Sequence, residues 1–161
     1  MKKHQVIFEK VKILLEKVLG EKLNIHVEEY DDGYKETHLT INDTAIWISC
    51  DDKELTVGYG LTHTHYDPQY DNIQMGIDRF FNLITKRKRI TNFYKGNFSY
   101  KNKTEIVIDD STYEDIGIAM TWLFPYWKKT KKEVIYEESL IDQSKIEVEI
   151  KEIKNYAQQG I

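Results

Sequence analysis

Residues 54–89 read ELTVGYG (54–60), LTHTHYDPQY (61–70) and DNIQMGIDRFFNLITKRKR (71–89). The first piece has the short β-rich pattern of a strand. The second is a histidine-bearing linker. The third is a helix: Ile73, Ile77, Phe80, Phe81 and Ile84 recur at three-four spacing and give one apolar face. Asp71 suits the N-cap, and Gln74 three residues on completes a capping-box pattern. Lys86, Arg87, Lys88 and Arg89 fall in or just past the last turn, where cations meet the negative end of the helix dipole.

Upstream, Val6, Ile7, Val11, Leu14, Leu15, Val18 and Leu19 set out an amphipathic helix over 4–19, which Gly20 can end. Four strands are expected next, over 23–30, 34–41, 44–50 and 54–60. Asp31-Asp32-Gly33, Asn42-Asp43 and Asp51-Asp52-Lys53 supply the turns between them. In the third strand, Ile46, Ile48 and Cys50 share one face while Ala45, Trp47 and Ser49 share the other. Short strands joined by tight polar turns read as an antiparallel meander.

Downstream, 90–95 and 97–109 read as strands about Gly96. Ser111-x-x-Glu114 matches a capping box, but the β-rich run after it, with Gly117, favours a strand through Trp122. Pro125 ends that element, 128–132 is a charged turn and 133–138 a further strand. A second capping box, Ser144-x-x-Glu147, opens a closing helix marked by Ile146, Ile150, Ile153 and Ala157. The expected fold class is α+β, an antiparallel sheet flanked by N-terminal, central and C-terminal helices in one domain over 1–161.

Composition narrows the function. The lone Cys50 forms no internal disulfide, and a reducing, cytoplasmic setting is expected. Glu9, Lys10, Lys12, Glu16 and Lys17 interrupt any signal-peptide core, and no apolar run approaches the roughly 20 residues of a membrane helix. A formal charge of −4 favours basic partners. No phosphate-cradling loop, nucleophile elbow or zinc-protease motif occurs, and no cofactor is implied.

Three surfaces carry candidate chemistry. In an up-and-down sheet the first and third turns share an end. Asp31, Asp32, Asp51 and Asp52 would then rim one edge and could receive a basic protein partner. His63 and His65 share a face on extended backbone, with Asp67 in line. They are the candidate metal ligands, and would need a third from His26 or His38. The segment 86–103 interleaves Lys86, Arg87, Lys88, Arg89, Lys95, Lys101 and Lys103 with Phe93, Tyr94, Phe98 and Tyr100, a pattern that suits base stacking; the acidic chain as a whole counts against nucleic acid. In addition Trp122, Phe124, Tyr126 and Trp127 form an aromatic block around Pro125, in which exposed Tyr126 and Trp127 would be interface anchors.

The amphipathic first helix, the meander ending in ELTVGYGLTHTHYD and the helix and strands that follow resemble the small immunity proteins encoded beside bacterial polymorphic and contact-dependent toxins. The resemblance implies a non-enzymatic, cytoplasmic inhibitor that neutralises a cognate toxin by stoichiometric binding. If the toxin is a nuclease with a basic surface, an acidic edge suits it. The resemblance gives no oligomeric state and no binding residues.

Overall fold

The three-four spacing of the N-terminal segment produces helix α1 (Lys3–Leu19), which buries Ile7, Phe8, Val11, Leu14 and Leu15. The computed structural model describes residues 1–31, 33–70 and 72–158. After α1 come strands β1 (Leu23–Glu29), β2 (Lys35–Ile41), β3 (Ile46–Cys50), β4 (Leu55–Tyr59) and β5 (Thr62–Tyr66). Helix α2 (Ile73–Thr85) follows, then β6 (Lys88–Lys95), β7 (Phe98–Val107), β8 (Tyr113–Met120), β9 (Thr130–Glu137) and helix α3 (Glu147–Gln158). The fold is α+β, with an antiparallel five-stranded sheet and an antiparallel four-stranded one. The chain divides into two compact units, residues 1–81 with 143–161, and residues 82–142.

In the first unit the five strands pair in chain order, β1 to β5. Most of the first half of the linker expected at 61–70 is itself a strand, β5, with His63 opposite Gly58 and His65 opposite Thr56. It escapes the alternation test because it lies at the sheet edge, where only Tyr66 is buried. The face alternation expected of the third strand holds: Ile46, Ile48 and Cys50 join Leu39, Leu55 and Val57 in the core, while Trp47 is on the opposite face. Helix α1 lies against β1, β3 and β4, and α3 lies along α1. Gly76 of α2 approaches Tyr66 so closely that a Cβ there would stand 2.7 Å from the ring. The expected N-cap Asp71 lies outside the described residues; Gln74 instead donates to Asp78 Oδ2 at 3.2 Å. Ser144 falls within a 3-10 turn (Gln143–Lys145), and α3 starts two residues beyond it.

In the second unit the sheet order is β8-β7-β6-β9. Three hairpin-connected strands are followed by a fourth that returns beside the first, which is a Greek key. Its strands differ from expectation in extent. β6 starts at Lys88, so half of the basic run is strand; β8 ends at Met120, short of Trp122; β9 starts inside the expected charged turn. Lys88 is fully buried, and its ammonium donates to Leu83 O at 3.0 Å and pairs with Glu137 Oε1 at 3.1 Å. The expected cation at the helix end is thus Lys88, reaching back from a strand.

Two substitutions test this packing. A Cβ on Gly58 would stand 2.0 Å from Trp47 Cε2, whose indole is pinned by Nε1 donating to Gly60 O at 2.9 Å. Gly58→Ala is expected to cost about 1–3 kcal/mol, read as a lowered thermal midpoint. Glu137→Ala leaves the buried Lys88 ammonium with a carbonyl alone and is expected to cost about 3 kcal/mol; the volume-matched double change Lys88→Met with Glu137→Leu is expected to be milder in urea unfolding.

Candidate functional site

The acidic edge forms in part. The first and third turns do share an end, because the Tyr34 hydroxyl donates to Asp51 Oδ2. Asp31 and Asp52 are exposed there, and Asp32 lies outside the described residues. Asp51, however, is committed to the turn: its Oδ1 accepts the backbone N–H of Lys53 at 2.6 Å and of Glu54 at 2.7 Å. Burial alone would raise the Asp51 carboxyl, but the hydrogen bonds from Tyr34, Glu54 and Lys53 outweigh it and hold the group below its usual range. Cations also intrude. Lys2 Nζ donates to Asp52 O, and Lys53 stands over the Tyr34 ring at 5.9 Å. Buried His4 places Nε2 within 3.1 Å of Asp51 O. The end is therefore a mixed-charge, hydrogen-bonded turn cluster.

His63 and His65 share the outer face of the five-stranded sheet, both exposed, with ring centroids 4.9 Å apart. His63 leans on Trp47 at 5.7 Å. His65 Nδ1 is 2.6 Å from Glu54 Oε1 and 3.1 Å from Thr56 Oγ1. Asp67 accepts the backbone N–H of Gln69 at 2.8 Å and closes a turn. Cross-strand pairing puts His26 opposite His38, and His38 opposite Ser49. Neither joins the His63–His65 pair: among the described residues no group of three or more His, Cys, Asp or Glu is placed to hold a metal. Cys50 is buried; burial first, then Asp51, Glu9 and Glu36, push its thiol up to about 12, which removes the thiolate at neutral pH.

In the second unit the basic segment 86–103 splits into two populations. Arg87 pairs with Glu138 at 2.9 Å, Lys88 with Glu137, Arg89 with Glu105 at 2.7 Å, and Lys103 with Glu105 and Asp115 at 2.6 and 2.8 Å. Burial alone would raise the Glu105 carboxyl, but Lys103 and Arg89 more than offset this and hold it low. Arg89 also lies 3.5 Å over the Tyr113 ring. These cations are part of the sheet's own framework. Among the described residues no ion pair is formed by Lys86, Lys95 or Lys101, of which Lys95 and Lys101 lie toward the other end of the strands.

At that end lies the crossover from β8 to β9, residues 121–129. Register explains how it is held. Phe93 pairs with Lys101 and Tyr94 with Ser99, so Tyr100 is the extra residue of a β-bulge. Phe124 stacks on Tyr100 at 4.5 Å, and the Thr121 N–H donates to Tyr100 O at 2.9 Å. Further along, Gly96 N–H donates to Lys129 O at 3.0 Å and Lys128 N–H to Pro125 O at 3.0 Å. The side chains between these anchors face outward. Trp122 is 81% exposed, Leu123 64%, Tyr126 75% and Trp127 72%. Tyr126 and Trp127 meet edge-on at 5.2 Å. The sequence pointed to Tyr126 and Trp127. It did not show that Trp122 and Leu123 join them, nor that 128–132 belongs to the same surface; an acid-free run from Ile116 to Lys132 was the available signal.

The comparisons gave no match: no protein-family model, curated protein or solved structure matches this chain. Among the described residues, no helix is long and apolar enough to cross a membrane.

The Asp51 shift fixes a pH dependence. A carboxyl held below its unfolded pKa of about 3.9 stabilises the fold above that value, and the contribution is lost as pH falls through the folded pKa. Asp51→Asn is therefore expected to be less stable than the parent near pH 7, with the two curves converging as pH drops below the usual carboxylate range; urea unfolding along a pH series checks it.

Proposed function

We propose that this chain is a non-enzymatic binding protein that docks a protein partner through the aromatic crossover of its second unit. The observation that carries this reading is the exposure of Trp122, Tyr126 and Trp127 on a loop that is pinned at several points. A loop held by stacking, a bulge and backbone hydrogen bonds has already lost most of its freedom, so binding adds little further ordering cost. Aromatic side chains bury roughly 150–250 Å² each. Three of them supply a large share of the roughly 800 Å² that one partner contributes to a standard interface. Leaving such rings in water gives nothing to folding, and Trp and Tyr are the residues enriched at interface hot spots.

The resemblance to immunity proteins names the partner class: a cognate toxin, neutralised one-to-one. Two observations support a binding role over chemistry on this chain. The Cys50 thiol is buried with its pKa raised, and the His63–His65 pair lacks a third protein ligand among the described residues. The docking surface proposed here differs from the acidic edge, because Asp51 is consumed by its turn and Lys2 and Lys53 interleave with the remaining carboxylates.

The test is co-purification of this chain with the product of the adjacent open reading frame, followed by affinity measurement. A one-to-one complex is expected. Tyr126→Ala and Trp127→Ala should each weaken it by about 2 kcal/mol, near thirtyfold, with circular dichroism unchanged. A complex whose affinity survives the double substitution would place the docking surface elsewhere.

A further inference from the structure

The cations of the second unit sort by position. Arg87, Lys88, Arg89 and Lys103 each face a carboxylate. Lys95, Lys101, Lys128, Lys129, Lys131 and Lys132 cluster at the crossover end, and among the described residues none of them is in an ion pair; Lys86, outside this cluster, has none either. Three of them stand by aromatic rings, and the Lys128 side chain lies against Gly96. Lys101 and Lys132 bracket the Phe93 ring at 5.1 and 5.9 Å on one face of the sheet, and Lys131 stands 5.8 Å from the Tyr94 ring on the other. The nearest acid in sequence, Glu133, accepts the Tyr94 hydroxyl at 3.1 Å. Six like charges crowded at one end repel one another, and the described residues 116–132 carry no carboxylate against them.

Resting on the docking role proposed above, we infer that the partner's matching surface is acidic: an apolar pocket for the Trp122–Trp127 rings, surrounded by Asp and Glu side chains that meet the lysines. The apolar centre and charged surround have the layout of a protein interface. Two other anionic occupants fit less well. A single-stranded nucleic acid needs free ring faces for its bases. Trp122, Tyr126 and Trp127 do keep exposed faces, so the distinction rests on the aliphatic Ile118, Met120 and Leu123 exposed beside them, on which bases cannot stack and which an apolar protein pocket can cover. An anionic bilayer is flat, whereas these lysines occupy both faces of the sheet, a distribution that a concave protein surface can enclose.

The experiment titrates the full chain, at low and moderate salt, with three probes at equal charge: poly-L-glutamate, a twenty-nucleotide oligothymidylate, and vesicles with anionic phosphatidylglycerol. Poly-L-glutamate is expected to bind most tightly, with affinity falling steeply with salt. Reversal of Lys128, Lys129, Lys131 and Lys132 to Glu should abolish binding, and neutralisation to Gln should reduce it at least tenfold. Tighter binding of the oligonucleotide with quenched tryptophan emission, or a blue shift of that emission only with vesicles, would overturn the acidic-protein assignment. So would indifference of poly-L-glutamate binding to the lysine changes. The co-purified complex separates this from the docking role itself. If Trp127→Ala weakens the complex but lysine neutralisation leaves its association rate and salt dependence unchanged, the rings dock and the partner is not acidic. If both weaken it, with the lysine change acting mainly on the association rate, both readings stand.

Discussion

One ammonium ties together the parts on which the second unit depends. Lys88 sits at the start of β6, fully buried, and reaches Leu83 in the last turn of α2 and Glu137 at the end of β9. An isolated buried charge is prohibitively costly, so this group is viable only with both partners in place. It therefore couples a helix terminus and the inner strand that follows it to the returning edge strand far along the chain. The register follows. With Lys88 opposite both Ile106 and Glu137, each residue of β6 up to Phe93 has its neighbours assigned.

At the far end the same sheet departs from regular pairing, and that departure positions the aromatic crossover. The bulge at Tyr100 turns a ladder residue into a support. Its ring carries Phe124 and its carbonyl takes the Thr121 N–H. A bulge adds local twist and re-aims a side chain. Here it converts a long connection between opposite sheet edges into a fixed shelf. Two residues of the loop pay into the shelf, Phe124 and Thr121, while the rings on either side of Phe124 stay outside. The ion-paired Arg87, Lys88 and Arg89 lie at one end of this sheet, and the lysines of the crossover gather at the shelf.

Much of the fold was legible because local chemistry is strong where the turns are. The turns around Gly33 and Asp43 take the backbone through positive φ at Gly33, 82°, and Asp43, 61°, which Gly and Asp tolerate. The apolar face of β3 was legible because Ile46, Ile48 and Cys50 alternate in sequence and all enter the core, with Ser49 of the opposite face buried as well. β5 was misread as a linker because an edge strand needs no apolar alternation. The KRKR run was ambiguous for a physical reason: cations suit both a helix C-terminus and a strand that faces acidic neighbours, and Lys88 does both. The site was less legible. Asp51 read both as a turn residue and as part of an acidic rim, since sequence cannot say that a distant tyrosine will join the turn amides in occupying its oxygens. Trp122 looked like strand, because where β8 stops is settled by pairing with β7 and by Tyr100, not by local propensity.

The Greek-key order also has a consequence in time. β6 is made early, but its second neighbour, β9, arrives only after two more strands and the crossover have been synthesised. Until then β6 has an open edge, Lys88 lacks its carboxylate, and the Lys129 carbonyl that takes Gly96 is absent. Non-local pairings of this kind form late. A chain that lacks β9 keeps the Phe124–Tyr100 and Thr121–Tyr100 anchors but loses the strand that continues the crossover, so the shelf is then tied at its β8 end only.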